Sequence, residues 1–107
     1  MLEAGGVAAA VELVSGKIYV GVCVDGTCSL GICAKRNAIF NMFTNGESAI
    51  KRVIAINCDS KVMPPCGACR ELMTQLMPGK YKNIQVMLDY DKSKVITLGE
   101  FTPEWWI

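Results

Sequence analysis

Two short motifs constrain this chain more than anything else in it. Pro64-Pro65-Cys66-Gly67-Ala68-Cys69-Arg70 puts two cysteines three residues apart where a helix is predicted to start. Cys33-Ala34-Lys35-Arg36 puts a third cysteine at another predicted helix start. Helix N-termini carry about half a positive charge and lower thiol pKa values. Two such ends converging would gather three thiolates around one Zn²⁺, with a net charge of −1 that the helix dipoles offset. Arg36, three residues after Cys33, and Arg70, next to Cys69, are expected to hydrogen-bond sulfur. Three protein ligands leave a fourth position open, the mark of a catalytic zinc. The chain has no histidine, so any metal site must use Cys, Asp or Glu. Other readings stay open: a thiol redox CxxC, or a closed four-cysteine zinc with Cys23, Cys28 or Cys58 as the fourth ligand. Those three sit in or beside predicted strands and read more simply as small buried apolar residues.

The rest of the sequence supplies a frame for these motifs. Val7 to Val14 and Lys17 to Val24 read as strands joined at Ser15-Gly16. Cys33 to Phe43 has helical spacing at Ala34, Ala38, Ile39 and Met42 and stops at Thr44-Asn45-Gly46. A strand follows over Arg52 to Asn57, then a helix over Cys66 to Met77 ended by Pro78-Gly79, then strands over Ile84 to Leu88 and Lys94 to Leu98. The order is β-β-α-β-α-β-β, an α/β chain with a mixed sheet whose later strands are expected to run parallel. Residues 1–107 are expected to form a single domain. Hydrophobic residues make up 51% and charged residues 20%, enough to bury a core and against disorder. That core also argues against a disulfide scaffold.

Net charge is +1 with interspersed signs, so no duplex nucleic acid is expected as partner. No apolar run approaches the ~20 residues of a membrane helix, and no secretory signal is recognisable at the start. Together these predict a cytoplasmic protein with reduced thiols.

The motifs Cys33-Ala34-x-Arg36 and Pro65-Cys66-Gly67-Ala68-Cys69-Arg70, some thirty residues apart on this frame, resemble the small cytidine deaminases. The tail spacing and Pro78-Gly79 region resemble their blasticidin-S deaminase relatives. The resemblance implies a three-layer α/β/α sandwich and a Zn²⁺ cofactor held by Cys33, Cys66 and Cys69, with Arg36 supporting a zinc thiolate. It also implies hydrolysis of a cytosine-type ring by zinc-bound hydroxide with release of ammonia, a small nucleoside-like substrate, and a homo-oligomer, tetramer or dimer.

Three departures from the family pattern carry consequences. The position of the family's glutamate acid/base holds Lys35, which is expected to stay protonated beside a −1 zinc site and so to accept no proton. Lys35 could instead ligate zinc as a neutral amine, pair with the thiolates, or be a solvated helix-start lysine. Glu71 and Glu47 are the other carboxylates considered, one on a different helical face and one past the far end of the first helix. The family's ribose-holding Asn-x-Glu pair falls on Val22 and Val24, which cannot bind sugar hydroxyls. Gly5 stands where an aromatic of the family's N-terminal helix would be. Without that helix one sheet face is expected to be partly bare, favouring association. The tail tryptophans Trp105 and Trp106 are expected at the core or at a subunit contact.

Overall fold

In the computed structural model, which describes residues 1–107, the chain begins with a hairpin. Strand β1 (Glu3–Leu13) and strand β2 (Ile18–Asp25) pair antiparallel. The turn between them is closed by Gly16 N–H donating to the Leu13 carbonyl. Gly16 has φ +91°, a conformation that an L side chain resists. β1 begins four residues before the expected Val7. Gly5-Gly6 looks like a breaker, but Gly5 takes φ +90° and the β1–β2 register shifts between Ala4 and Ala8, so the glycines bend the strand instead of ending it.

Helix α1 (Ala34–Thr44) leads to strand β3 (Ile50–Asn57). Helix α2 (Gly67–Leu76) and a 3₁₀ turn (Tyr81–Asn83) lead to strand β4 (Gln85–Asp89), strand β5 (Lys94–Thr97) and a short helix α3 (Leu98–Phe101). The sheet order is β2-β1-β3-β4-β5, giving the α/β fold with a mixed sheet. The expectation that the later strands run parallel is corrected: β3 and β4 alone are parallel, and β5 is antiparallel to β4. The neighbouring strands β3 and β4 are joined by the long crossover through α2 that a parallel pair needs, whereas β4 and β5 are joined by residues 90–93 alone.

One sheet face carries the core. Ala9, Val11, Leu13, Val53, Ala55 and Val86 are buried, and α1 buries Ala34, Ala38, Ile39 and Met42. Side-chain amides of Asn37 and Asn41 on α1 donate to the carbonyls of Val22 and Val20 on the edge strand β2, occupying acceptors that could recruit another strand. On the opposite face Ala8 aligns with Val22 and Ile56, and Ala10 with Val20 and Ile54. Ile18, Val20, Val22 and Ile56 are exposed there, so this apolar face is bare. No helix is long and apolar enough to cross a membrane.

The tail folds back on α2. A capping box between Thr97 and Glu100 starts α3. The indole N–H groups of Trp105 and Trp106 then donate to the Glu71 carboxylate at 3.1 and 2.6 Å. Desolvation acts to raise the Glu71 pKa, but hydrogen bonds from Trp105, Trp106, Thr74 and Gln75 bring it below its ordinary 4.5. A lowered carboxylate pKa means that the contribution to stability is present above the ordinary value and fades as the pH falls through the folded one. The chain has two tryptophans, so fluorescence reports this docking directly. An acid transition in tryptophan emission is expected below pH 4.5, and Glu71→Gln should flatten it; an unchanged transition in the variant would remove Glu71 from the account.

Candidate metal centre

Cys33 and Cys66 each occupy the N-cap of a helix, one residue outside the helical run predicted to begin with them. Both have extended backbone, with φ/ψ of −69°/147° and −72°/173°. Neither helix has a side-chain cap or an acidic residue in its first turn, so both leave their N-terminal partial charge directed at the thiols. Cys69 lies in the first turn of α2 and is buried. The Cys33 and Cys66 sulfurs are 3.3 Å apart, those of Cys66 and Cys69 3.4 Å, and all three lie within 4.8 Å of one another. Zn–S bonds of ~2.3 Å in a tetrahedron space the sulfurs by about 3.8 Å, so the cluster fits zinc after a small outward adjustment.

The thiols differ electrostatically. Burial acts to raise the Cys66 pKa, but the Cys69 and Ala68 N–H groups and the neighbouring sulfurs bring it down to about 7. Cys69 is pushed up to about 12, chiefly by burial, then by its hydrogen bond with Cys66 and the negative charge of Cys66 and Cys33. A bound divalent cation would deprotonate all three outright.

Arg36 reaches the Cys33 sulfur through Nη2 at 3.5 Å, and its Nε is buried without a partner. Arg70 requires a correction, because it bonds no sulfur. Its Nε donates to the Pro65 carbonyl at 3.0 Å and its Nη1 to the Phe101 carbonyl at 3.2 Å, with the guanidinium 4.5 Å from the Phe101 ring centroid. Arg70 therefore fastens the Pro65 loop and α3 to α2, since the ring and both carbonyls satisfy its fork away from the thiols.

Lys35 is buried, at 5% exposure, which removes the reading of a solvated helix-start lysine. Its Nζ donates to the Met63 carbonyl at 2.9 Å and reaches no sulfur within hydrogen-bond distance. Desolvation is the largest influence on its pKa and lowers it, with the charges of Cys69, Cys66 and Cys33 opposing. Position 35 lies i, i+3, i+4, i+7 with Ala38, Ile39 and Met42, the buried stripe of α1, a spacing that signals its burial. The Met63 carbonyl is a backbone acceptor with no side-chain signature, and the sequence alone did not expose it.

The remaining candidates are occupied elsewhere. Glu71 holds the tail tryptophans. Glu47 accepts from Ser15 and Tyr19 and pairs with Lys17 at 3.6 Å. Cys23 is buried in β2 with its sulfur accepting from the Val7 N–H. Cys28 and Cys58, expected as buried apolar residues, are exposed instead; both lie in turns. None of the three joins the cluster. A cavity of about 590 Å³ opens over the thiols, lined among others by Val7, Val24, Asp25, Ile32, Lys35, Arg36, Met63 and Pro64.

No family model matches the chain. A cytidine deaminase from Halalkalibacterium halodurans is 30% identical over 99 residues, covering 91% of this chain and 74% of that protein. A probable cytidine deaminase from Dictyostelium discoideum is 38% identical over 58 residues, 52% of this chain and 40% of that one. Among solved structures, cytidine deaminase from Burkholderia pseudomallei superposes with a TM-score of 0.76 at 28% identity, over 94% of this chain and 80% of that one. The Mycobacterium tuberculosis cytidine deaminase, at 20% identity, shares the fold with a TM-score of 0.81 over 97% of this chain and 79% of that one.

Proposed function

We propose that this chain, which belongs to the cytidine deaminase family, is a zinc-dependent hydrolytic deaminase of a cytosine-type ring whose turnover is impaired at Lys35. The observation that carries this reading is the convergence of three thiols within 4.8 Å at two uncapped helix starts, with a lysine in place of a carboxylate beside them. Cys33, Cys66 and Cys69 would hold the zinc. A zinc ion in such a site supplies Lewis acidity and activates water for attack on the ring.

The chain's own groups do the rest. Arg36 steadies the Cys33 sulfur, and Lys35 fixes the cavity wall through the Met63 carbonyl. A carboxylate offers acceptor oxygens across the working pH range, whereas an amine offers a lone pair only after losing its proton. Lys35 is therefore a poor acid/base even with burial lowering its pKa. The experiment that tests this reading is ammonia release from cytidine and from cytosine by the zinc-loaded chain and its Lys35→Glu variant.

A second reading, an inactive zinc-holding subunit of the same fold, is favoured by Val24. It lines the cavity without any group for a sugar hydroxyl. Sustained turnover by the unaltered chain would remove it. The bare sheet face supports association with another copy.

Metal analysis gives a further expectation. Cys69→Ser should weaken zinc by more than the ~10–100-fold that loss of a supporting outer group costs, read by competition with a chromophoric chelator. Cys23→Ser, Cys28→Ser and Cys58→Ser should leave it unchanged; loss of zinc in any of these would revive the closed four-cysteine site.

A further inference from the structure

The bare sheet face has a definite relief. Along β1, Ala8 lies between Val22 and Ile56, Ala10 between Val20 and Ile54, and Glu12 between Ile18 and Arg52. Small residues on β1 thus floor a strip walled by branched side chains on β2 and β3. The strip is a groove of about 510 Å³, and it adjoins a second of about 270 Å³ that reaches Met87, Tyr90 and Val95; the two share Ala10 and Ile54. Glu12 and Arg52 are the only charged residues lining either groove, and they pair with each other, Arg52 Nη2 donating to Glu12 Oε1 at 3.2 Å. β2 is the outer strand of the sheet. Its row of Ile18, Val20 and Val22, exposed by 62, 62 and 39%, therefore stands as a ridge beside the groove.

We propose that a second copy of this chain covers this face, the β2 ridge of each copy seated in the groove of the other about a two-fold axis. A face that carries both ridge and groove is complementary to itself, as a two-fold interface requires. The groove walls are two strand spacings apart, about 9.6 Å between backbones, which leaves room for one row of side chains and not for a helix ~10–12 Å across. The ion pair leaves the grooves without net charge, so two copies meet without like-charge repulsion. The apolar residues and their rim offer on the order of 800 Å², the share of one partner in a standard-size interface. Edge-to-edge pairing through β2 is opposed, because Asn37 and Asn41 already occupy the Val22 and Val20 carbonyls. The inference goes beyond the deaminase reading. The thiols lie at the starts of α1 and α2 on the covered side of the sheet, so the association leaves their cavity open and holds with or without turnover.

Sedimentation equilibrium of the full chain tests this, with thiols kept reduced because Cys28 and Cys58 are exposed and could link copies covalently. A mass of at least two chains is expected. Val20→Asp and Val20→Lys should each weaken association by about a hundredfold or more. Mixing them should restore pairing between one copy of each, since opposite charges then meet across the groove. Leu30→Asp alters a residue of similar exposure, 65%, in the loop between β2 and α1, and should leave association within about 3-fold, the scale of an inconsequential surface change. In the unaltered chain, mixed from isotope-labelled and unlabelled copies, nuclear Overhauser effects are expected between the Val20 methyls of one copy and the Ala8 and Ala10 methyls of the other. Their absence overturns the proposal even if the Val20 variants fail to fold. So does an unaltered chain that stays monomeric at about 100 µM, weaker than a specific interface of this size should be. Association unmoved by Val20→Asp, folded Val20 variants that do not pair on mixing, or Leu30→Asp dissociating the copies as fully as Val20→Asp also overturn it.

Discussion

Zinc-loaded Lys35→Glu is expected to release ammonia from a cytosine-type substrate about 10²–10⁴-fold faster than the unaltered chain, the usual contribution of a positioned acid/base group. Lys35 extends from the first turn of α1 to the Met63 carbonyl at 2.9 Å. A glutamate is one bond shorter and has no proton to donate to that carbonyl once ionised, so its carboxylate stays in the cavity beside the thiols. A zinc tris-thiolate of net charge −1 would raise the glutamate's pKa, which suits a group that must take up and return a proton near neutral pH. Giving up the Lys35–Met63 bond costs ~1 kcal/mol, little against that gain. Lys35→Met is the necessary control, because it removes the cation without adding a base and should leave turnover near background. Equal rates for the two variants would mean that loss of the ammonium, not gain of a carboxylate, governs activity. Rapid turnover by the unaltered chain would overturn the assignment of Lys35 as the impairment.

Much of this arrangement is legible in the residues. The spacing of Ala34, Ala38, Ile39 and Met42 predicts α1, and the two cysteine motifs predict three sulfurs in one place, because residues at helix starts are positioned by backbone rules that act locally. The failures have local reasons too. Gly5-Gly6 reads as an interruption until the register shift that it accommodates is seen. Thr97-x-x-Glu100 is a capping-box signal and could have announced α3. Arg70 could not have been placed from sequence: its partners are carbonyls in the Pro65 loop and at Phe101, 31 residues away, and backbone acceptors leave no trace in residue identity. Direction along the sheet escaped for a similar reason, since β1 pairs with both β2 and β3 and nothing in β1 itself names its second neighbour.

Gly21 is the residue whose importance the sequence hides most completely, and Gly21→Ala is expected to destabilise the fold by ~3 kcal/mol or more, at or beyond the upper end of ordinary overpacking. Gly21 lies opposite Ala9, and Ala9 opposite Ala55, so three small residues form a shallow trough under α1. A Cβ on Gly21 would sit 2.4 Å from Ala38 N, 2.8 Å from Asn37 C and 2.9 Å from Ala38 Cα. All three are backbone atoms, so no rotamer change relieves the overlap and the helix itself must move. It is held on both sides of the contact by Asn37 on the Val22 carbonyl and Asn41 on the Val20 carbonyl, so lifting it strains those bonds as well. The same helix carries Cys33 at its cap and Lys35 and Arg36 in its first turn. Displacement should therefore weaken zinc along with stability, which ties the metal centre to a methyl group added to the neighbouring strand. Gly67→Ala is the matching control: nothing lies within 4 Å of its Cβ and alanine favours the helix that it opens, so urea unfolding should show it unchanged or up to ~1 kcal/mol more stable. If Gly21→Ala unfolds within ~0.5 kcal/mol of the parent, the range of an inconsequential surface change, then α1 does not rest on β2 as closely as this packing requires.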